Sequence, residues 1–346
     1  MSSRPSFYIT RLENWVDLPS SLGTLGAQIL AGGTDLVPNL TWELASPTML
    51  VDVMGISELR EITIDAEGRW VIGAAVTLSD ILHHPVLGAH YPMLVAAVHA
   101  VATPEIRAQA TLGGNLCVDT RCRFRNQPPI WRSGLDPCFK SDGNRCYAAP
   151  KSRECVAILS SDTAPVLIAL GAEVAVGGPE LRWVEVEALY SGDGHDHLTL
   201  GPQEFVRAVR LPRVSPAGVF RKWRDRATMD FPEVDVAVAA TLDEGVPRDI
   251  RIVVSAVGPA PVRISAAEVL LDSSPWTDAQ LERASVMARE AVHPYDNGQL
   301  GVIGRQLAVR SLVLDALTAL RAALMETGGE QNDLGGRDSR EKGQPR

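Results

Sequence analysis

The sequence predicts an α+β protein with more than one domain. Short apolar runs alternate with helical segments up to Pro212, whereas long alternating strands and then helices follow it. The chain has 346 residues, and single hydrophobic cores stop growing near roughly 250–300 residues. We therefore expect a domain boundary near residues 212–216 and a C-terminal domain over 214–326. The polar, Gly-rich stretch 327–346 has the composition of a disordered tail.

The N-terminal part shows a repeated order of strand, turn and helix. Residues 27–40 predict a strand, a small-residue turn and a helix, and the apolar, β-branched run 48–53 predicts a buried strand. A hairpin is expected around a turn at residues 67–68. Thr77 is the expected N-cap of the next helix, with Asp80 three residues later.

The C-terminal part predicts an antiparallel sheet covered by helices. Its long strands flank a turn at residues 244–245. Three helical patterns follow, of which the last is rich in Leu and Ala and amphipathic. They lie near residues 265–271, 278–292 and 304–326.

Charge and hydropathy exclude several classes of protein. The net charge of −9 is opposite in sign to that of general nucleic-acid binders and membrane-surface binders. No apolar run approaches the length of a membrane span, and the first fifteen residues lack an apolar signal core. We therefore expect a cytoplasmic protein that binds neither nucleic acid nor membrane.

The motif AGGTDL, at residues 31–36, lies between the predicted strand and helix. Glycines allow backbone N–H groups to converge on a phosphate, and Thr34 adds a hydroxyl donor. The motif is neither G-x-G-x-x-G nor G-x-x-x-x-G-K-[ST], so a Rossmann fold and a P-loop are not supported. The alternative is an ordinary strand-to-helix turn.

A second motif, TLGGNL at residues 111–116, strengthens the case for a cofactor. Two such turns are expected to grip the two sides of one diphosphate. Neither motif contains Lys or Arg, so backbone dipoles and hydroxyls would hold the group. This arrangement suits a tightly held cofactor better than a nucleotide that is hydrolysed.

All five cysteines lie between residues 117 and 155, in a polar segment with little core of its own. Thiolates on a metal centre would hold such a segment in one shape. Zinc sites usually pair their ligands as C-x2–4-C, and the wide spacing here favours a [4Fe–4S] cluster. The expected ligands are Cys122, Cys138, Cys146 and Cys155, with Cys117 packed beneath the glycine turn. The alternative is a chance cluster of reduced, buried cysteines.

Several motifs together resemble those of a known family. They are AGGTDL, VDVMGISELREI, IGAAVTLSDIL, ATLGGNL, SSDTAPVLIALGA and AVGPAPVRISAAEVLL. These motifs, spread over roughly residues 5–325, resemble the FAD-binding medium subunit of the molybdenum hydroxylases, the xanthine dehydrogenase and CO dehydrogenase group. Most of that family lacks the cysteine segment. The insertion at about 117–158 resembles the β subunit of 4-hydroxybenzoyl-CoA reductase, which carries an additional [4Fe–4S] cluster there.

The resemblance implies a fold and a set of FAD contacts. The fold is the vanillyl-alcohol-oxidase (PCMH) type, with subdomains at 1–56 and 57–213, followed by a C-terminal domain of the CO dehydrogenase flavoprotein type. The implied cofactor-binding residues are Ile29, Leu30, Ala31, Gly32, Gly33, Thr34, Asp35, Leu36, Val101, Thr111, Leu112, Gly113, Gly114, Asn115, Asp162, Val206 and Lys222.

Two of the implied roles, those of Asp162 and Lys222, have alternatives. Asp162 would contact the flavin, or would instead cap the following helix. Lys222 would lie near the flavin, or would instead be a solvated strand residue. Arg224, Arg226 and Asp230 are candidates for ion pairs within the C-terminal domain.

The resemblance also implies an activity. Electrons from reduced ferredoxin would pass through [4Fe–4S] and FAD to [2Fe–2S] and molybdenum centres on partner subunits, for reductive dehydroxylation to benzoyl-CoA. The partners would be a molybdopterin-containing large subunit and a [2Fe–2S] small subunit, in a heterotrimer that dimerises. The alternatives are a hydroxylase flavin subunit for another aromatic or N-heterocyclic substrate, a self-contained FAD oxidase, and a zinc-stapled, non-enzymatic binding module.

Overall fold

The protein begins with a small parallel sheet. The computed structural model describes residues 6–272 and 274–337, with side chains as far as residue 326. The strands lie in the order β1-β3-β2, and both pairings are parallel. The elements are β1 (Tyr8–Arg11), α1 (Leu18–Leu22), β2 (Ala27–Leu30), α2 (Leu36–Thr41) and β3 (Met49–Asp52). The predicted order of strand, glycine turn and helix is confirmed, because the first glycine motif connects β2 to α2.

The second sheet is antiparallel and has five strands in the order β4-β5-β8-β6-β7. The strands are β4 (Ile62–Ile64), β5 (Trp70–Gly73), β6 (Glu173–Gly177), β7 (Arg182–Glu185) and β8 (Phe205–Arg210). The predicted hairpin turn is confirmed, and Gly68 adopts a φ of +77° there. Strands far apart in sequence thus pair around β8, which leaves room for the helices and the cysteine segment in the long connection between β5 and β6.

Helices in this connection pack on the second sheet and share its largest apolar core. They are α3 (Leu78–His83), α4 (Leu87–His90), α5 (Pro92–Ala100), α6 (Pro104–Arg107), α7 (Leu112–Leu116) and α9 (Thr163–Leu170), whereas α8 (Pro129–Arg132) lies in the cysteine segment outside this core. The predicted cap of α3 is confirmed, since Thr77 Oγ1 accepts from the Asp80 amide at 3.0 Å and Asp80 bonds back. Every residue of α9 is buried, which makes it the central helix of the domain.

The cysteine segment leaves and rejoins this domain through a narrow neck. Arg121 and Ile158 form an isolated antiparallel bridge, with both N–H to carbonyl distances at 2.7 Å. Between them the chain is mostly turns, with α8 and a single 3₁₀ turn at Phe139–Ser141. The Arg123 amide also donates to the Asn297 carbonyl at 2.9 Å, which ties the segment to the C-terminal domain.

The C-terminal domain is an antiparallel sheet in the order β12-β11-β10-β9. Its elements are β9 (Ala217–Trp223), β10 (Val234–Asp243), β11 (Val246–Ser255), β12 (Val262–Arg263), α10 (Ser265–Leu271), α11 (Asp278–Ala291) and α12 (Val302–Arg337). Alternate residues of β10 point to opposite faces. Val236 and Val238 pack with α11 and α12, whereas Ala237 and Ala239 pack in the core that contains α5 and α9. The C-terminal sheet therefore lies between the N-terminal part of the protein, which contains α5 and α9, and its own helices α11 and α12.

The last helix extends beyond the predicted end of the domain. Helix α12 continues to Arg337, so residues 327–337 of the predicted disordered tail are helical. Once a helix is nucleated, each added residue gains a hydrogen bond at little further entropic cost, which lets a packed helix extend. Residues 338–346 of that predicted tail lie outside the described residues. Within the described ranges, no helix combines the length and apolar character needed to cross a membrane.

Candidate functional site

A cavity of about 420 Å³ lies where the two sheets and the C-terminal domain meet. Both glycine motifs border it. The cavity is lined by predicted cofactor-binding residues: Ile29, Ala31, Gly32, Gly33, Thr34, Asp35, Leu36, Val101, Thr111, Gly113, Gly114, Asn115, Asp162 and Val206. The fold therefore brings together residues from four distant parts of the sequence, as the resemblance implied.

Three predicted residues do not line the cavity. Leu30 follows Ile29 on β2, and successive strand residues point to opposite faces. Leu112 is fully buried in the apolar core behind the glycine turn. Lys222 lies one layer further from the cavity, behind Asp162.

Two glycines of the first motif are required by its geometry. A side chain at Gly32 would place Cβ 1.8 Å from the Gln109 carbonyl oxygen, so the first motif packs against the backbone just before the second motif. Gly33 has a φ of +71°, which favours glycine. The amides of Gly32, Gly33 and Thr34 donate to no backbone carbonyl in the described part of the chain. The first loop therefore presents free donors to the cavity, as an anion-binding loop requires.

The second motif contributes differently from what its sequence suggests. The amides of Leu112 and Gly113 donate to carbonyls of the connection from β5 to α3, at 3.0 and 2.9 Å. The Gly114 amide donates to the Thr111 hydroxyl at 3.0 Å. These three donors are therefore used within the protein, so this loop cannot grip a diphosphate with them while the bonds persist. Its Gly-Gly pair instead allows close packing, since Cβ at Gly113 would lie 2.7 Å from that of Ala74.

Asn115 connects the second motif to the start of α9. Its side-chain oxygen accepts from Ser161 Oγ at 2.9 Å and from Thr163 Oγ1 at 2.7 Å. It also accepts from the Thr163 amide at 3.2 Å. These bonds fix the backbone on both sides of Asp162 and so hold this carboxylate on the cavity wall.

Asp162 and Lys222 form a buried ion pair, with Oδ1 and Nζ 2.5 Å apart. Lys222 also donates to the Ala100 carbonyl at 3.2 Å, and Arg224 donates to the same oxygen at 2.9 Å. Asp162 occupies the N-cap position of α9 without capping it. Lys222 is buried, so the alternative that it is a solvated strand residue is wrong. Burial raises the pKa of Asp162 to about 6, against the opposing effect of Lys222 and Arg224.

An ion pair anchors the first motif at the edge of the cavity. Asp35 is ion-paired with Arg121 and also accepts from the Asp119 amide at 3.3 Å. Burial raises the pKa of Asp35, and Arg121 opposes that rise. The Arg121 guanidinium lies over the Phe231 ring at 5.2 Å from its centre. Arg121 thus links the glycine loop to the C-terminal domain.

The sequence carries no local signal for part of the cavity wall. Met229, Asp230 and Phe231 follow strand β9 and close one side of the cavity. Met229 has a φ of +67°, an uncommon conformation for a residue other than glycine. The candidate ion pair between Arg226 and Asp230 is present in this segment. Only the packing of the C-terminal sheet against α5 and α9 brings these residues to the cofactor domain.

The four cysteines predicted as ligands line one small cavity of about 20 Å³. Lys140 and Arg125 also line it, and the charge of Lys140 opposes the rise in the pKa of Cys155. Cys117 lies elsewhere, on the wall of the large cavity, and its burial raises the pKa of its thiol to about 12. The four cysteines predicted as ligands therefore lie together, and Cys117 lies apart from them, as the sequence predicted.

Backbone amides point at three of these sulfur atoms. The Ala149 amide donates to Cys146 Sγ at 3.3 Å. Amides of Phe124 and Arg125 lower the pKa of Cys122, and that of Ala157 lowers the pKa of Cys155. The larger effect is burial, which raises both pKa values, to about 11 for Cys155.

The cysteines are not arranged around a single ion. In residues 6–272 and 274–337, no group of three or more His, Cys, Asp or Glu side chains is positioned to hold one metal ion. All five cysteines are free.

Comparison with known proteins agrees with the fold and the cavity. Residues 7–214 match the family model "FAD binding domain in molybdopterin dehydrogenase". Residues 219–320 match "CO dehydrogenase flavoprotein C-terminal domain". These two matches and the mixed helix and sheet content confirm the predicted α+β class and domain type.

Two curated relatives cover most of the chain. The aldehyde oxidoreductase FAD-binding subunit PaoB of Escherichia coli is 34% identical, over 71% of this chain and 79% of its own length. The carbon monoxide dehydrogenase medium chain of Afipia carboxidovorans is 27% identical, over 85% of this chain and 89% of its own.

Two solved structures share the fold. Quinoline 2-oxidoreductase of Pseudomonas putida 86 matches with a TM-score of 0.75 and 20% identity, over 94% of this chain and all of that chain (100%). Carbon monoxide dehydrogenase of Hydrogenophaga pseudoflava matches with a TM-score of 0.75 and 24% identity, over 93% of this chain and 99% of that chain. Together with the family models, these similarities show that the chain belongs to the FAD-binding medium subunits of the molybdenum hydroxylase family.

Proposed function

We propose that the chain is the electron-transfer subunit of a molybdenum-containing aldehyde oxidoreductase and that it binds both FAD and a [4Fe–4S] cluster. The observation that carries the proposal is the meeting of Cys122, Cys138, Cys146 and Cys155 at one cavity, beside a second cavity bordered by both glycine motifs. A subunit that binds both cofactors would transfer electrons between them. When bound, the flavin and the cluster supply reversible oxidation and reduction.

The residues of the large cavity fit FAD. The free amides of Gly32, Gly33 and Thr34 suit the diphosphate, and the close packing of Gly32 against the Gln109 backbone fixes the loop that carries them. Asp162 and the apolar Val101 and Val206 line the same cavity. Thr111 and Asn115 support the loops from inside the protein through their own hydrogen bonds.

The donor set of the small cavity fits an iron–sulfur cluster. Four thiols converge there, amide N–H groups point at the sulfur of three of them, and the charge of Lys140 opposes the rise in the pKa of Cys155. Zinc requires four ligands about 2.3 Å from one centre, which is the arrangement that the described residues lack. A cube with ligands at separate corners tolerates wider spacing. Burial raises the pKa of the Cys122 and Cys155 thiols, so cluster assembly on them would release protons.

The substrate-binding centre lies on partner subunits in this proposal. Plant-type [2Fe–2S] sites need four cysteines each, and all five cysteines of this chain belong to the two cavities already described. We therefore assign the [2Fe–2S] centres to a small subunit and molybdopterin to a large subunit. The similarity to an aldehyde oxidoreductase subunit supports an aldehyde as the substrate.

Reductive dehydroxylation is the second candidate. It is favoured by the cysteine segment, through the resemblance to 4-hydroxybenzoyl-CoA reductase, and would take electrons from reduced ferredoxin. The two candidates differ in the direction of electron flow through the same two sites. An N-heterocyclic substrate has the weaker support of relatives named for xanthine, at 25–26% identity.

The test is anaerobic purification of the chain with its co-expressed partners, followed by assay of FAD, iron, acid-labile sulfide and zinc. Two activities are then measured: oxidation of an aldehyde with a dye as the electron acceptor, and reduction of 4-hydroxybenzoyl-CoA with reduced ferredoxin as the electron donor. Aldehyde and water give acid, two protons and two electrons to a dye. 4-Hydroxybenzoyl-CoA, two protons and two electrons from reduced ferredoxin give benzoyl-CoA and water.

We expect FAD, iron and sulfide in the subunit and aldehyde-dependent dye reduction. FAD with zinc in place of iron would overturn the cluster, and absence of FAD would overturn the whole proposal. Formation of benzoyl-CoA without aldehyde oxidation would establish the second candidate instead.

A further inference from the structure

Lys140 connects the cysteine segment to the wall of the large cavity. Its side chain is only 9% exposed, and its Nζ lies 2.7 Å from Asp119 Oδ1. It also donates to the Gly194 carbonyl at 2.8 Å. Lys140 lines the cysteine cavity, whereas Asp119 lines the large cavity that fits FAD. One ion pair therefore joins the walls of the two proposed cofactor sites.

The contacts continue from Asp119 to the first glycine motif. The Asp119 amide donates to Asp35 Oδ2 at 3.3 Å, and Asp35 belongs to that motif. Arg121 pairs with Asp35 and donates to the Asp119 carbonyl at 2.8 Å. Direct contacts thus lead from Lys140 through Asp119 to the loop whose free amides face the large cavity.

The position of Lys140 depends on the cysteines on either side of it. Cys138 immediately precedes the 3₁₀ turn Phe139–Ser141, which carries Lys140. The Phe139 amide donates to the Arg145 carbonyl at 2.9 Å and so closes a small loop, which ends beside Cys146. A cluster bound by Cys138 and Cys146 would hold both ends of this loop and would fix Lys140 against Asp119.

The charges around Asp119 show what Lys140 contributes. Although burial raises the pKa of Asp119, the Lys140 ammonium lowers it below its ordinary value. Arg121 is a second cation, but its guanidinium lies 4.0 Å from the Asp119 carboxylate and already pairs with Asp35. Without Lys140, two carboxylates would share one guanidinium at the cavity wall. Their excess negative charge would repel a diphosphate, and screening is weak in a partly buried site.

We propose that Lys140 is a positioning residue through which the cysteine segment sets the FAD affinity of the large cavity. This inference rests on the two cofactor sites proposed above. With the cluster in place, Lys140 neutralises Asp119, and the diphosphate meets a wall without excess negative charge. Without the cluster, the loop over residues 138–146 loses its fixed ends, Lys140 leaves Asp119, and FAD binds more weakly. The subunit therefore retains its flavin best when the cluster is present.

Fluorescence titration of flavin-depleted complexes with FAD tests this coupling, with iron assayed in every sample. The proteins compared are wild type, Lys140→Met, Cys138→Ser and the variant that combines both substitutions. A further variant combines Lys140→Met with Asp119→Asn, which removes the carboxylate charge and keeps the backbone bonds of residue 119. Lys151→Met is the matched control, because Lys151 is an exposed lysine of the same segment.

Lys140→Met should keep its iron and bind FAD about fivefold more weakly. Cys138→Ser should lose iron and bind FAD with a similarly reduced affinity. The combined variant should bind FAD no more weakly than either substitution alone, because both act through one contact. Asp119→Asn should restore most of the FAD affinity of Lys140→Met, and Lys151→Met should bind FAD like wild type.

Three results would overturn the proposal: wild-type FAD affinity in Lys140→Met, loss of its iron, or no recovery with Asp119→Asn. A combined effect equal to the product of the two separate effects would also overturn it. If Cys138→Ser does not assemble, the Lys140 and Asp119 variants decide the matter by themselves. A wild-type complex without FAD or without iron in this subunit would refute the proposed function. A complex that holds both, with equal FAD affinity in all variants, would refute only this inference.

Discussion

Lys222 and Asp162 form a buried ion pair, 2.5 Å long, between the C-terminal sheet and the wall of the cofactor cavity. The pair couples the position of a carboxylate in the FAD domain to a strand of the next domain. The same region joins β9 to α5, because Lys222 and Arg224 both donate to the Ala100 carbonyl at the end of α5.

Substitution of Lys222 by Met tests this coupling. Removal of one partner leaves the other charge buried and unpaired, which typically costs about 3–5 kcal/mol. We expect the free energy of unfolding, measured by urea denaturation, to fall by about that amount, and FAD content to fall with it. The exposed Lys151→Met is the control and should change stability by less than about 0.5 kcal/mol. Equal stability of the two variants would show that the pair contributes nothing.

Gly32→Ala tests the close contact between the first glycine motif and the Gln109 backbone. The new Cβ would lie 1.8 Å from the Gln109 carbonyl oxygen, so one loop must move and the free amides must shift. We expect FAD per protein, measured by absorbance after purification, to fall to a minor fraction of that in the wild type.

Gly88→Ala is the matched control for that substitution. Gly88 lies in α4, and its new Cβ would meet no atom within 4 Å. Alanine in a helix should stabilise by about 0.5–1 kcal/mol and leave FAD content unchanged. Full FAD content in Gly32→Ala would show that the two loops do not need this contact.

Stability should depend on pH through Asp162. Burial raises its folded-state pKa to about 6, above the ordinary 3.8. A raised pKa means that the folded state binds the proton more tightly, so the stabilising contribution is complete below the ordinary pKa and is lost as the pH rises through about 6. The free energy of unfolding of wild type relative to Asp162→Asn should therefore decrease from about pH 4 to about pH 7. Denaturant titrations of both proteins check the sign, and a difference that grows with pH would contradict it.

Arg121→Gln tests the link between the glycine loop and the C-terminal domain. The variant loses the ion pair with Asp35 and the stacking on Phe231. We expect FAD to bind about tenfold more weakly, a loss of about 1.4 kcal/mol, as measured by fluorescence titration of flavin-depleted complex. Arg123→Gln removes an exposed pair with Asp296 and should bind FAD like wild type. Equal affinity of both variants would separate Arg121 from cofactor binding.

Local sequence signals predicted the elements around the site well. The glycine turn after β2, the hairpin turn at Gly68 and the capping box at Thr77 each have a cause within a few residues. Such features depend on backbone conformation and short-range hydrogen bonds, which composition and spacing reveal. The separation of Cys117 from the other four cysteines was also visible, because it directly follows the glycine motif.

Other parts of the site depend on long-range packing and have no local signal. The contact of Lys222 with Asp162 joins strand β9 to the start of α9, two elements far apart in the sequence. The contact of Phe231 with Arg121 crosses two domains. The second glycine motif looks like the first in sequence, but its amides bond within the protein, a difference that spacing alone does not reveal.

The iron content of cysteine variants tests the central claim most directly. Cys146→Ser and Cys117→Ser are expressed with the partner subunits and purified anaerobically, and iron and sulfide are measured per FAD. We predict about four iron atoms and four sulfides beyond those of the partner subunits in wild type and in Cys117→Ser, and their loss in Cys146→Ser. Equal iron in all three proteins, or none assignable to this subunit in wild type, would contradict the account of a [4Fe–4S] cluster on Cys122, Cys138, Cys146 and Cys155.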